Sequence, residues 1–91
     1  MDTFAEAASQ IIQEQQSIIG PLSLDQARKV TGLQINSPTD ISITGNAKDV
    51  LGGLVDQYAK LFGPASVEVC KQAFKPYIDK IQPELVPDNL K

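Results

Sequence analysis

Residues 18–30 read Ile-Ile-Gly-Pro-Leu-Ser-Leu-Asp-Gln-Ala-Arg-Lys-Val, and residues 61–73 read Leu-Phe-Gly-Pro-Ala-Ser-Val-Glu-Val-Cys-Lys-Gln-Ala. The two segments align without a gap at an offset of 43 residues, with apolar, serine, acidic and basic positions matching. Glycine suits the left-handed residue that ends a helix, and proline suits the first turn of the next one. Each copy therefore predicts a helix–turn–helix, with turns at Gly20, Pro21, Gly63 and Pro64.

Amphipathic segments surround the first turn. Apolar residues at three-four spacing predict a helix over residues 3–19, capped by Thr3 with Glu6 as its capping-box partner. A short second helix is expected over residues 22–31, where Gly32 stops it.

Two predicted helices likewise flank the second turn. Asn46 is expected to cap a third helix that runs up to the turn, although Gly52 and Gly53 lie inside it. A fourth helix is expected over residues 64–81, and Pro76 should end or kink it.

The segment between the two repeats lacks a helical pattern. Asn36, Ser37, Pro38 and Asp40 are turn-forming residues, and isoleucines alternate with polar residues around them. A two-stranded ribbon alone is marginally stable. We predict a loop or a minor β-hairpin at residues 33–44.

These segments together predict an all-α fold: a four-helix arrangement of two duplicated helical hairpins with a pseudo-two-fold axis. A single helical domain is expected over residues 1–82, with the hairpin repeat at 3–31 and 46–75. Residues 83–91, which include prolines and mixed charges, are expected to form a flexible C-terminal tail.

The composition argues against catalysis. The 91 residues include no histidine and one cysteine, which leaves no imidazole base, no histidine metal ligand and no disulfide framework. The acidic residues do not form a calcium-loop pattern, and no nucleotide-binding motif stands out. We therefore expect a protein that is not an enzyme, without catalytic, cofactor-binding or metal-binding residues and without a cofactor.

The charge distribution indicates which classes of partner are not expected. The net charge of −3 resides in residues 1–19, which hold three acidic residues and no basic one. Without a basic stripe, nucleic acid is not an expected partner, and the acidic segment should repel anionic membranes. The apolar stretches are much shorter than the roughly 20 residues of a membrane span. The single cysteine and the lack of a basic leader predict a cytoplasmic protein.

The chemically distinctive side chains are interpreted as packing residues. Cys70 falls on the apolar face of the fourth helix and is expected to be a buried structural cysteine. A redox role would require an exposed thiol with a lowered pKa. Tyr58 and Tyr77 are expected to pack through their rings and to place their hydroxyls at the surface.

The second turn carries a local pattern that covers about a quarter of the chain, in the residues Phe62, Gly63, Pro64, Ser66, Val69, Lys71 and Ala73. It resembles the "I-G-P-x-A" helix–turn–helix of small all-helical domains of unknown function attached to bacterial, often cyanobacterial, signalling proteins. This sequence departs from that pattern at Phe62, where isoleucine is usual, and at Ala65, where a larger apolar residue is usual. The resemblance implies a stand-alone relative in regulation or assembly, and it carries over no catalytic residue.

Two functions remain open. The first is a small helical protein-interaction or regulatory module that associates with a protein partner or with a second copy of itself, and whose leading surface is the weakly charged face of the first helix at Ile12, Gln13 and Gln16. The alternative is a small-ligand-binding domain with an apolar cavity between the two helical hairpins, its mouth formed by Gly52-Gly53 and the loop at 33–43. A redox sensor based on Cys70 is a third hypothesis.

Overall fold

A computed structural model describes all 91 residues and shows the following order of elements. The chain forms α1 (Thr3–Ile19), α2 (Leu22–Ala27), β1 (Leu33–Ser37), β2 (Asp40–Ile43), α3 (Ala47–Phe62) and α4 (Pro64–Phe74). Short 3-10 segments follow at Lys75–Lys80, Pro83–Leu85 and Asp88–Leu90. A mainly helical protein is thus confirmed, and the segment at 33–44 forms the antiparallel hairpin.

Side-chain caps start the two long helices. Asp2, rather than the predicted Thr3, caps α1, and its carboxylate accepts a hydrogen bond from the Ala5 amide at 2.8 Å. A carboxylate is a stronger acceptor than a hydroxyl and is favoured at the positive end of the helix dipole. Asn46 caps α3 as predicted, and its side chain accepts from the Asp49 amide at 3.1 Å.

Both Gly-Pro turns form, and they share one geometry. Gly20 has φ 68° and Gly63 has φ 80°. The amide of each glycine donates to the carbonyl four residues earlier, at 2.9 and 2.8 Å. The amides of Ser23 and Ser66 then donate back to the glycine carbonyls at 3.0 and 3.1 Å.

The equivalence of the two copies does not extend to whole hairpins. Helix α2 has six residues, whereas α4 has eleven. The β-branched Val30 and Thr31 are weak helix formers and Gly32 is weaker still, so the chain leaves the helix at Ala27 instead of residue 31. The predicted duplicated four-helix arrangement is therefore wrong. The fold is a mainly helical one with a two-stranded sheet between α2 and α3.

The core lies where α4 packs against both α1 and α3. Its largest fully buried apolar side chains are Ile11, Ile12, Leu51, Leu54, Val55, Tyr58 and Phe74. Helix α4 ends at Phe74 and is shorter than the predicted 64–81, because Pro76 lacks an amide hydrogen for the helical ladder and residues Lys75–Lys80 form a 3-10 segment instead.

The C-terminal segment packs on α3 instead of forming the flexible tail predicted at 83–91. Val86 and Leu90 are buried in the core. Asn89 Nδ2 donates to the Gly52 carbonyl and to Asp56 Oδ1, both at 3.0 Å. The prolines of this segment give two tight 3-10 turns that bring its apolar residues back to the helix.

Alanine is expected to stabilise α3 at Gly52 and at Gly53. A Cβ atom at Gly52 would lie 3.7 Å from Pro87 Cβ, and one at Gly53 would lie 3.5 Å from Val30 Cγ1. Both are ordinary contact distances, and alanine is favoured over glycine in a helix by about 1 kcal/mol. Gly52→Ala and Gly53→Ala should each raise the free energy of unfolding by about 0.5–1 kcal/mol in urea titrations. A loss of stability in either variant would show that the neighbouring side chain cannot move enough to accommodate the added methyl group.

Candidate functional site

A reciprocal pair of hydrogen bonds joins the two Gly-Pro turns. Tyr58 Oη donates to the backbone carbonyl of Ser23 at 2.8 Å. Gln15 Nε2 donates to the backbone carbonyl of Ser66 at 3.1 Å. Gln15 and Tyr58 are 43 residues apart, and so are Ser23 and Ser66. Each half of the chain thus holds the turn of the other half, which is the pattern of a local two-fold contact.

The polar groups beneath the turns are buried and bonded to one another. Ser23 Oγ donates to the Ile12 carbonyl at 2.8 Å and lies 3.1 Å from Tyr58 Oη. Gln15 Nε2 also lies 3.4 Å from Cys70 Sγ. The predicted surface position of the Tyr58 hydroxyl is therefore wrong, because its partner comes from a distant segment. Tyr77 lies half-buried against the core.

Burial also determines the chemistry of the cysteine. It raises the pKa of the Cys70 thiol to about 11, although the hydrogen bond from Gln15 acts in the opposite direction. Since the thiolate is the reactive form, a buried neutral thiol is a poor nucleophile. The prediction that Cys70 is a buried structural cysteine is confirmed.

Large apolar side chains are exposed around the same two turns. Ile18 is 62% exposed and Leu61 is 49% exposed, and they occupy matching positions of the repeat. Leu22 and Phe62 are 48% and 36% exposed. We call these four side chains the apolar end. Clusters of exposed apolar side chains mark interaction sites more often than scattered ones do.

The apolar end differs from the surface predicted on the first helix. Ile12 is fully buried, so it cannot meet a partner. Gln13 is exposed and donates to Ser9 Oγ at 2.9 Å, and Gln16 is half-buried. Ile18 continues the apolar spacing that predicts α1, and such spacing by itself indicates a buried position. Periodicity identifies the face of a helix, but it does not show where that helix extends past its neighbours.

The predicted apolar cavity between the two hairpins is not present. The concave regions are open grooves on the surface, and the largest, of about 530 Å³, runs from the base of the hairpin to α3. At the expected mouth, Val30 packs beside Gly53, and Pro87 packs beside Gly52. No group of three His, Cys, Asp or Glu side chains is placed to hold a metal ion. None of the helices has the length and apolarity needed to cross a membrane.

Comparisons with known proteins found no family model, no curated protein and no solved structure that matches this chain. The local resemblance of residues 61–73 to bacterial signalling appendages therefore stays a prediction.

Proposed function

We propose that this protein is a small, cytoplasmic, non-enzymatic interaction module, and that it associates with a second copy of itself through the apolar end. The exposure of Ile18, Leu22, Leu61 and Phe62 around the paired turns supports this proposal most directly. Covering such side chains is favourable by about 25 cal/mol for each Å² of apolar surface removed from water.

Buried hydrogen bonds already fix the backbone that carries these side chains in the unbound protein. The Tyr58–Ser23 and Gln15–Ser66 hydrogen bonds are buried, and their residues lie one to four positions along the chain from those of the apolar end. Because those bonds already fix the turns, association orders few additional degrees of freedom, and less of the interaction energy is lost to entropy.

The charges near the apolar end favour a second copy over a strongly charged partner. Glu14 and Asp25 are exposed acidic residues close to the first turn. Close to the second turn, Lys60 is an exposed basic residue, and the exposed Glu68 is paired with Lys71 at 3.8 Å. A partner surface with one dominant sign of charge would be repelled by those exposed residues that carry the same sign. A second copy related by a two-fold axis presents the same acidic and basic residues in the opposite orientation, so that groups of opposite charge can face each other.

The size of the apolar end determines the expected strength. A standard interface uses about 800 Å² on each partner, and four partly exposed side chains supply only part of that area. We therefore expect a weak, reversible dimer with a Kd on the order of 10–100 μM.

Sedimentation equilibrium on paired variants tests this proposal. The unchanged chain should self-associate at concentrations up to about 500 μM, and Ile18→Ser with Leu61→Ser should weaken association at least about tenfold. Because both positions are exposed, this variant should keep its fold, as circular dichroism would show. The matched control is Ile78→Ser with Leu85→Ser, which replaces two similarly exposed side chains outside the apolar end.

Two outcomes would overturn the proposal. One is a chain that stays monomeric at the highest concentration. The other is a control variant that loses association as fully as the apolar-end variant, since that would assign the effect to general surface hydrophobicity.

A further inference from the structure

The chain divides at the hairpin turn into two segments that share one core. The first segment, residues 1–37, contains α1, α2 and β1, and the second, residues 40–91, contains β2, α3, α4 and the 3-10 turns. Helix α1 packs against α4 and β2, and α2 packs against α3. The fully buried side chains come from both segments, as Ile11 and Leu54 do. Each segment therefore buries its apolar surface against the other.

Hydrogen bonds also cross from one segment to the other. Besides the reciprocal bonds that join the two Gly-Pro turns, Gln57 Nε2 donates to Gln26 Oε1 at 2.8 Å. Each of these bonds pairs a residue of the first segment with a residue of the second. Since every copy of the chain presents the same two segments, the surface that fits residues 1–37 is also present on a second copy.

The turn that connects the segments fits the hairpin poorly. Pro38 and Thr39 form a two-residue connection between Ser37 and Asp40, which face each other. The two-residue turns that match the twist of paired strands need a positive φ, and every residue with a positive φ in this chain is a glycine. Turns outside that class splay the strands that they join. The register irregularity just before the turn places Asn36 as an additional residue on the β1 side.

Few contacts hold the turn in its closed form. The Ser9 hydroxyl donates to the Pro38 carbonyl, and the side-chain hydrogen bonds within the turn are exposed to solvent. The ring of Pro38 fixes its φ at about −65°, a value that suits both turns and extended chain. The turn therefore opens into an extended connection without a change of φ at Pro38. A short turn that fits its strands poorly favours the exchange of segments between copies.

We infer that two copies of the chain exchange residues 1–37 at this turn and form an intertwined dimer. In that dimer each chain runs straight from β1 into β2, and β1 pairs with β2 of the other copy. The register of the hairpin is kept, with Ile35 of one copy opposite Ile41 of the other, across a two-fold axis at Pro38. Each lobe of the dimer repeats the core of the closed chain without its turn. The cost is the entropy of association, so the dimer is favoured at high protein concentration.

The exchange goes beyond the proposed function and does not rest on it. Because each lobe repeats the closed chain, the apolar end stays exposed in the exchanged dimer. The experiments therefore use the Ile18→Ser, Leu61→Ser background, in which association through the apolar end is removed. A dimer in this background supports the exchange alone, and its absence leaves self-association through the apolar end unaffected.

Shortening the turn should make the exchange obligatory. Deletion of residues 37–40 leaves Asn36 as the single residue between Ile35 and Ile41, which is fewer than the two residues of the tightest common hairpins. In the exchanged dimer the same deletion gives one straight strand, in which Ile35 still faces Ile41 and Asn36 faces Asn36 of the other copy. We expect a helical dimer down to about 5 μM by sedimentation and circular dichroism. A folded monomer or an unfolded chain would overturn the inference.

A control of unchanged length replaces the turn by Asn-Gly, through Pro38→Asn with Thr39→Gly, because Asn-Gly forms the turn that matches the strand twist. After refolding from urea at about 500 μM, the background chain should give a dimer that persists for hours on dilution, since its copies separate only when the core opens. The control variant should give at least about fivefold less of this dimer. Equal amounts in the two chains, or no persistent dimer in the background chain, would contradict the exchange.

A cross-link between positions 26 and 57 identifies the exchanged contact directly. One chain carries Gln26→Lys and the other carries Gln57→Glu, so the new ammonium and carboxylate replace side chains whose Oε1 and Nε2 atoms are 2.8 Å apart. A carbodiimide joins such a pair as an amide with loss of water. Peptide mass spectrometry should find this link between the two chains after they are refolded together, and not after they are folded separately and mixed. Its absence from the co-refolded dimer would rule out the exchange.

Discussion

Gly63→Ala is expected to lower the free energy of unfolding by about 1–3 kcal/mol, and Gly20→Ala should have a similar effect. Gly63 combines φ 80° with ψ −168°, and Gly20 combines φ 68° with ψ −145°. This region of backbone conformation is essentially restricted to glycine, because a Cβ atom clashes there with its own backbone. A methyl group at either position would meet no other atom within 4 Å. The whole loss of stability is therefore attributed to the backbone.

The same substitution at Gly53 is the matched control. Gly53 lies inside α3 with helical geometry and room for a methyl group, so alanine should stabilise the protein there. Urea titrations of Gly63→Ala and Gly53→Ala should therefore give shifts of opposite sign. Two shifts of the same sign would contradict the assignment of the Gly63 effect to its positive φ.

This contrast separates what the sequence could predict from what it could not. The turns at Gly20 and Gly63 were predictable because glycine followed by proline encodes a local backbone conformation. The extent of α2 was not, because Gly32 predicted an end near residue 31, whereas the helix ends at Ala27. The weak helix formers Val30 and Thr31, which precede Gly32, favour this earlier end.

The apolar end lay beyond sequence reasoning for a related reason. The sequence showed Ile18 and Leu61 as members of apolar stripes, and a stripe is usually core. Their exposure arises because the stripes run to the ends of α1 and α3, beyond the layer in which Gln15 and Tyr58 are buried. The hydrogen bonds of that layer join Tyr58 to Ser23, which are 35 residues apart in the chain, and Gln15 to Ser66, which are 51 residues apart. No local sequence pattern encodes such distant contacts.

Alkaline pH is expected to destabilise the protein through the two buried acids beneath the turns. Burial raises the pKa of Cys70 from 9.0 to about 11. Burial likewise raises the pKa of Tyr58 from 10.0 to about 12, and the Ser23 hydrogen bond offsets this only in part. Each folded-state pKa lies above the unfolded value, so the stability they contribute is fully present below pH 9. The unfolded chain then loses its protons first, and the free energy of unfolding falls.

The decline should occur in two overlapping windows: pH 9 to 11 for Cys70 and pH 10 to 12 for Tyr58. Within its window, each group should lower the free energy of unfolding by about 1 kcal/mol per pH unit. Urea titrations across this range measure the sum, and the Cys70→Ala profile should begin to fall only near pH 10. In Tyr77→Phe, Tyr58 is the sole remaining tyrosine, so tyrosinate absorbance of the folded protein should rise only near pH 12. Tyrosinate at pH 10 in folded Tyr77→Phe would instead show that solvent reaches the hydroxyl, and with it the buried layer that joins the two turns.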